Sequence, residues 1–229
     1  MNINPINYNT QKPAFEHKIS KGSGYSAKEK AVVISTTALG IVTSLAVLAK
    51  CRGYSLKPSR MFKNLKNSYL AKTPFLAPEI CSMGAGTCLG GLAGGYIIDK
   101  NPHNRKAKKR EAVMQIGNIS IPILTVAQFE KFSKKYGKLA QAAGTLAGVF
   151  TGVFLANFLM NKLGNVLFHS KDERGVKAVD FSAHFDDVIA SASYMSPDSK
   201  LVHGVSRIVP AILAVPGFEV GTKKAGTNH

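Results

Sequence analysis

Four stretches of this 229-residue chain lack charged residues altogether, although 19% of the sequence is charged. An α-helix needs about 20 residues to cross the hydrocarbon core of a bilayer, and each stretch is of that order. Helices buried in soluble proteins are usually shorter and amphipathic. The sequence therefore predicts an all-α, polytopic transmembrane bundle of four spans, with a fifth as an open alternative. The predicted spans are 31–49, 79–98, 112–129 and 139–161.

Acidic residues are also scarce, with 13 Asp and Glu against 30 Lys and Arg, for a net charge of +17. Such a balance suits nucleic acid, an anionic membrane surface or the basic loops of a membrane protein. The basic residues cluster between the uncharged runs, at 50–66, 99–111 and 130–138. This placement is typical of loops beside membrane spans. We therefore expect a lipid bilayer with anionic headgroups as the partner, and we do not expect nucleic acid.

Only three cysteines are present, Cys51, Cys81 and Cys88, and no CxxC motif occurs. An odd count without paired spacing argues against a disulfide framework or a zinc site. Phosphate-binding glycine motifs and nucleophile patterns with serine or cysteine beside histidine are also missing. We therefore expect no cofactor, and an ordinary nucleotide-using enzyme is not indicated.

Glycine recurs at every fourth position in two of the predicted spans, as Gly86, Gly90 and Gly94 and as Gly144, Gly148 and Gly152. Residues four apart share one face of a helix, so each series forms a strip without side chains. In lipid, helices associate through close contact of such small-residue faces. We predict that these six glycines are helix-packing residues of a glycine zipper. They would pack on each other or on further copies of the chain in a homo-oligomer.

The other predicted spans carry features of their own. The first has a stripe of small residues, Thr36, Gly40 and Ser44, and follows a polar leader, so we interpret it as an uncleaved span. The third contains Gln115, Asn118 and Pro122. It either crosses the bilayer, with neighbouring helices forming hydrogen bonds to its polar groups, or enters the bilayer as a re-entrant segment.

The chain divides into three regions in this interpretation. Residues 1–30 form a disordered basic tail, 31–162 the bundle, and 163–229 a C-terminal region. Apolar residues recur at helical spacing over 179–195, which predicts an amphipathic helix. The apolar segment 201–217 contains Arg207, which is the candidate intramembrane charge. Within the bilayer Arg207 would need an acidic partner, whereas at the surface it would extend towards the headgroups.

One group of residues resembles a metal site. Asp180, His184 and Asp187 lie at helical spacing, and two carboxylates with an imidazole are suitable ligands for a divalent metal, with His169 or His203 completing the set. The alternative is a solvated polar helix face, with Asp180 or Ser182 capping the helix. We favour the alternative, because spacing alone supplies neither ligand count nor geometry.

These observations favour a non-enzymatic membrane protein with a structural, assembly or scaffolding role, and we expect it in a bacterial inner membrane. A small transporter or channel is the second hypothesis, supported by the polar third run. A membrane-bound metal-dependent enzyme that uses Asp180, His184 and Asp187 is the third.

Overall fold

The computed structural model describes residues 24–55, 77–169, 173–184, 187–188 and 208–226, and all regular structure in these ranges is helical. The helices are α1 (Ala27–Cys51), α2 (Ala77–Ile98), α3 (Pro102–Ser133), a 3-10 turn (Lys134–Tyr136), α4 (Lys138–Phe168), α5 (Ala178–Ser182) and α6 (Val209–Thr222). Helices α1 to α4 are long and apolar enough to cross a membrane, and each contains one predicted span. The prediction of an all-α fold with four candidate spans is confirmed. α6 is a shorter apolar helix. At about 1.5 Å per residue it is shorter than a bilayer core.

A capping box sets the start of α1. The Ser26 hydroxyl accepts a hydrogen bond from the Glu29 backbone N–H at 3.3 Å, and the Glu29 carboxylate accepts one from Ser26 N at 2.7 Å. Two backbone donors that helix formation leaves open are thereby bonded. The helix consequently begins at Ala27, so the predicted tail of residues 1–30 is too long at its C-terminal end. Residues 1–23 lie outside the described residues.

The chain runs up and down, so that two ends of the bundle can be distinguished. At one end Tyr25, Asp99 and Lys108 meet, and we call this the Tyr25 end. At the other, Arg52 after α1 forms an ion pair with the buried Glu79 in the first turn of α2. We call this the Arg52 end. α3 continues through Pro122 without a break, so the third run is one long helix and the re-entrant alternative is wrong.

The first glycine series faces α1. A Cβ atom at Gly86 would lie 2.6 Å from the carbonyl oxygen of Gly40, and Cβ atoms at Gly90 and Gly94 would come even closer to Thr36. Real Cβ atoms do not approach other atoms so closely, so a side chain at these positions would force α1 and α2 apart. The small stripe predicted in the first span thus lies directly against the glycines of α2.

The second glycine series faces α3, and the two series do not face each other. A Cβ atom at Gly148 would lie 2.7 Å from the Cα of Val126, while Gly152 lies against Pro122 and Gly144 against Ser133. Consecutive helices are commonly neighbours in space. Each series therefore packs on the helix that precedes it in the chain.

α2 has a second small face, which was not predicted from the sequence. Gly91 and Gly95 lie against Gly217 and Gly221 of α6, and a Cβ atom at Gly95 would lie 2.7 Å from the carbonyl oxygen of Gly221. The doublets Gly90-Gly91 and Gly94-Gly95 are the sequence signal, because adjacent residues point about 100° apart around a helix. One face of α2 therefore packs on α1 and the other on α6.

We predict that Gly91→Ala destabilises the bundle by about 1–3 kcal/mol, the usual cost of overpacking, because the new methyl group meets the backbone of Gly217. Gly164→Ala is the matched control, since the nearest atom there is 3.4 Å away on the flexible Arg110 side chain. Alanine favours helix over glycine, so the control is expected to be neutral or stabilising. Thermal unfolding in detergent measures the stability of both variants. Equal melting temperatures for the two would contradict the close packing of α2 on α6.

Candidate functional site

Three polar residues of α3 share the face that turns into the bundle. Glu111, Gln115 and Asn118 follow one another at spacings that place them on one side of a helix. The side chains of Gln115 and Asn118 are only 2% and 1% exposed. Gln115 and Asn118 of the third span therefore point towards other protein groups and not outwards.

Gln115 links α3 to α6 through its amide nitrogen. Nε2 donates to Glu111 Oε1 at 3.0 Å and to Glu219 Oε2 of α6 at 2.7 Å. An amide nitrogen carries two hydrogens, so each carboxylate receives one. Burial raises the pKa of Glu219, and the positive charge of Lys177 opposes this.

Arg174, in the loop between α4 and α5, is the central cation of the site. Its Nη1 and Nη2 atoms lie 2.8 and 2.6 Å from the two carboxylate oxygens of Asp180, a bidentate pair. Its Nε lies 3.3 Å from Glu111 Oε1. Burial opposes the charge on Arg174, and the adjacent carboxylates of Asp180 and Glu111 favour it. Buried carboxylates of two elements are thus neutralised by one guanidinium group.

The Arg174 backbone is bonded to α4. Asn161 Nδ2 donates to the Arg174 carbonyl oxygen at 2.8 Å, and Arg174 N donates to Asn161 Oδ1 at 2.9 Å. A side-chain amide can replace a strand or helix partner in this way, because it offers one donor and one acceptor. The 173–184 segment is therefore fixed between α3 and α4.

This segment lies beside the middle of a candidate span. The Phe181 ring lies 5.3 Å from the ring of Phe150 and 6.5 Å from that of Phe154, measured between centroids, and residue 150 is the midpoint of the charge-free run 139–161. The alternative of a solvated polar helix face is therefore wrong, since Asp180 and His184 are 2% and 1% exposed. Irregular backbone at membrane depth is tolerated where protein covers it, and α3 and α4 supply that cover.

His184 bonds a backbone group that a proline leaves open. Pro122 has no N–H, so the carbonyl oxygen of Asn118, four residues earlier, loses its helical partner. His184 Nε2 lies 2.8 Å from that oxygen and donates to it, which places a hydrogen on Nε2. The buried proline in α3 is thus tolerated because a side chain from another segment replaces the missing donor.

The predicted metal ligands are bonded to protein groups. Both Asp180 oxygens accept from Arg174, one also accepts from Asn118 Nδ2 at 3.0 Å, and the other from Lys177 N at 2.8 Å. His184 Nδ1 lies 3.4 Å from Asp187 Oδ2. In the described ranges, no group of three or more His, Cys, Asp or Glu side chains is placed to hold a metal ion.

The remaining predicted residues lie apart from the site or outside the described residues. His169 ends α4 in a left-handed conformation, with φ of 48°. Arg207 and His203 lie outside the described residues, as does most of the predicted amphipathic helix 179–195. The described part of that range consists of the end of the short α5, the turn at 183–184 and residues 187–188.

A second polar cluster lies at the Tyr25 end. Lys108 is fully buried, and its Nζ donates to Tyr25 Oη at 2.7 Å and to the Lys223 carbonyl oxygen at 2.6 Å. Tyr25 Oη donates to Asp99 Oδ2 at 2.5 Å, and Asn104 Nδ2 donates to the same oxygen. Burial raises the pKa of Asp99, but these hydrogen bonds outweigh the effect and lower it. The cluster joins the start of α1, the end of α2, α3 and the end of α6.

Three of the ionisable residues of the site, Glu111, Arg174 and Glu219, were not predicted from the sequence. Glu219 had a usable signal, since it is the only charged residue between Arg207 and Lys223, and an isolated charge in an apolar segment points to a buried partner. Arg174 had none, because it lies in a run of mixed charge that is typical of a surface loop.

The chain matches no protein-family model, no curated protein and no solved structure. Its function must therefore be inferred from its own geometry.

We predict that His184→Leu destabilises the protein by about 1–3 kcal/mol, the cost of leaving a buried acceptor unbonded. Pro122→Ala restores the backbone N–H, so His184→Leu should cost clearly less in the Pro122→Ala background. A double-mutant cycle on unfolding free energies measures this coupling. Additive effects of the two changes would show that His184 does not compensate for Pro122.

Proposed function

We propose that this chain is an integral membrane protein with a structural, assembly or scaffolding role and without enzymatic activity. The observation that carries the proposal is the state of the polar groups in the third span. Gln115 and Asn118 are buried, and their amide nitrogens bond Glu111, Glu219 and Asp180. Polar groups used in this way hold helices together, and this supports a scaffold over a passage for solutes.

Close packing of small residues supports the same role. Glycines lie at the contacts of α1 with α2, of α2 with α6 and of α3 with α4. We interpret these contacts as glycine zippers that rigidify one chain. Because helices of the same chain already cover the glycine series, we propose that any homo-oligomer forms through other surfaces.

Charge at the helix ends supports a membrane with anionic headgroups. The first turns of α3 carry Arg105, Lys106, Lys109 and Arg110, and basic residues follow α3 at the Arg52 end. Basic residues beside spans interact favourably with acidic lipids. We propose a bacterial inner membrane on this basis, with basic loops at both surfaces.

A small transporter or channel is the second candidate. It is favoured by the ionisable groups beside the middle of a span and by Asn118 Oδ1, a buried acceptor that has no hydrogen-bond partner among the described residues. Intramembrane charges and open polar atoms often mark a pathway for ions or protons. The metal-dependent enzyme is not favoured, because Asp180 and His184 already bond protein groups.

Thiol accessibility distinguishes a packed scaffold from a transporter. In a variant with Cys51, Cys81 and Cys88 replaced by alanine, cysteines are introduced singly at Gln115 and Asn118. A scaffold predicts that both stay unreactive towards a membrane-impermeant, polar thiol reagent in intact membranes. Lys109→Cys, at an exposed position near the Tyr25 end, is the positive control. Reaction at position 115 or 118 at a rate near that of the control would contradict the scaffold and support a water-filled pathway.

A further inference from the structure

A groove of about 210 Å³ lies on the outer surface of the bundle between α1 and α6. It is lined by Ile34, Thr37, Ala214, Val215 and Phe218. The lining is almost entirely apolar. Pockets for drug-sized ligands have volumes of roughly 300–1,000 Å³ and several placed polar groups, so this groove suits a thinner, purely apolar occupant.

The groove arises from the way α1 and α6 share α2. Both helices pack on glycine faces of α2, and they touch each other where Gly221 meets Val33 and where Gly217 meets the Thr37 methyl group. These contacts form the floor. The more exposed side chains of Ile34 and Val215 form the walls, and the groove opens outwards, on the side where a bilayer would place acyl chains.

Both walls lead to lysines at the Tyr25 end. Lys30 precedes Ile34 by one helical turn, on the same side of α1, and it is exposed. On the other wall, α6 ends at Thr222, one turn after Phe218, and Lys224 follows. Lys224 Nζ lies 4.4 Å from the centre of the Tyr25 ring, which places it beside the start of α1.

The nearby acidic side chains are bonded to other groups. Glu29 accepts hydrogen bonds from the backbone and the hydroxyl of Ser26. Glu219, next to Phe218, accepts from Gln115 on the far side of α6. The positive charges of Lys30 and Lys224 outnumber the negative charge of Glu29, with which Lys224 interacts electrostatically. The mouth of the groove at the Tyr25 end therefore carries a net positive charge.

We propose that this groove binds an anionic phospholipid, with one acyl chain between α1 and α6 and the phosphate on Lys30 and Lys224. The apolar lining matches the chain, and the lysines match the headgroup charge. A helix from a second copy is about 10 Å wide and needs a broad small-residue face, which this groove does not offer. The proposal does not depend on the scaffolding role, but it rests on the proposed integration into a membrane with anionic headgroups.

Native mass spectrometry of the full-length protein, released from detergent in the presence of added lipid, tests the proposal. Phosphatidylglycerol and phosphatidylcholine with identical acyl chains are titrated separately. We expect one phosphatidylglycerol per chain, bound more tightly than phosphatidylcholine. Lys30→Gln should lower the affinity for phosphatidylglycerol about fivefold. This ratio corresponds to roughly 1 kcal/mol for one basic residue near an acidic headgroup.

Ala214→Phe fills the groove and should abolish this binding. The matched controls are Ala127→Phe, on an exposed face of α3, and Lys50→Gln, at the Arg52 end of α1; both should bind lipid as the unaltered protein does.

Three outcomes would overturn the proposal. The first is equal affinity for the two lipids. The second is lipid binding that survives Ala214→Phe. The third is a dimer that Ala214→Phe dissociates while the lipid count stays the same, which would assign the groove to a second copy. If Ala214→Phe prevents folding, the Lys30→Gln variant tests the proposal instead, because it leaves the groove lining intact. An unchanged affinity of that variant for phosphatidylglycerol would then reject the site.

Discussion

Many large apolar side chains face outwards in this bundle, while glycines and polar side chains occupy much of its interior, and the rest of the structure depends on this arrangement. Phe150, Phe154 and Phe158 of α4 are each more than half exposed, whereas Asn157 and Gly152 on the same helix are buried. In water this distribution would forgo the main driving force for folding. In a bilayer it costs little, because acyl chains solvate apolar side chains as well as a protein interior does.

Two kinds of contact then hold the helices together. Where glycines meet, the backbones touch, and α2 uses two such faces to bind α1 and α6. Where the chain departs from regular helix, buried polar groups form the links: Arg174 joins the loop to α3, and His184 bonds the carbonyl oxygen freed by Pro122. Since unbonded polar groups are costly away from water, these links fix the 173–184 segment in one place.

The four long helices were predictable, because charge-free runs of spanning length are typical of membrane helices and unusual in the amphipathic helices of soluble proteins. The glycine series indicated close approach but not its partners, since spacing on one helix carries no information about which neighbour it meets. Asp180 and His184 were predicted on one helix face, but α5 ends at Ser182 and His184 lies in the turn that follows it. Periodicity also does not determine whether a polar face meets water or protein. Their burial follows from contacts with Asn118 and Arg174. Asn118 is distant in sequence, and Arg174 lies in a loop of mixed charge that looks ordinary in the sequence. α6 was predicted as an apolar segment, but its place beside α2 depends on glycine pairs that only the structure brings together.

Alkaline carbonate extraction of membranes from cells that produce the full-length chain tests the central claim most directly. High pH releases peripheral proteins, but it leaves proteins whose helices are solvated by acyl chains in the membrane pellet. The outward-facing apolar side chains of α1 to α4 predict that the protein stays in the pellet and enters solution only with detergent. Recovery of folded, monodisperse protein in the supernatant without detergent would contradict the account.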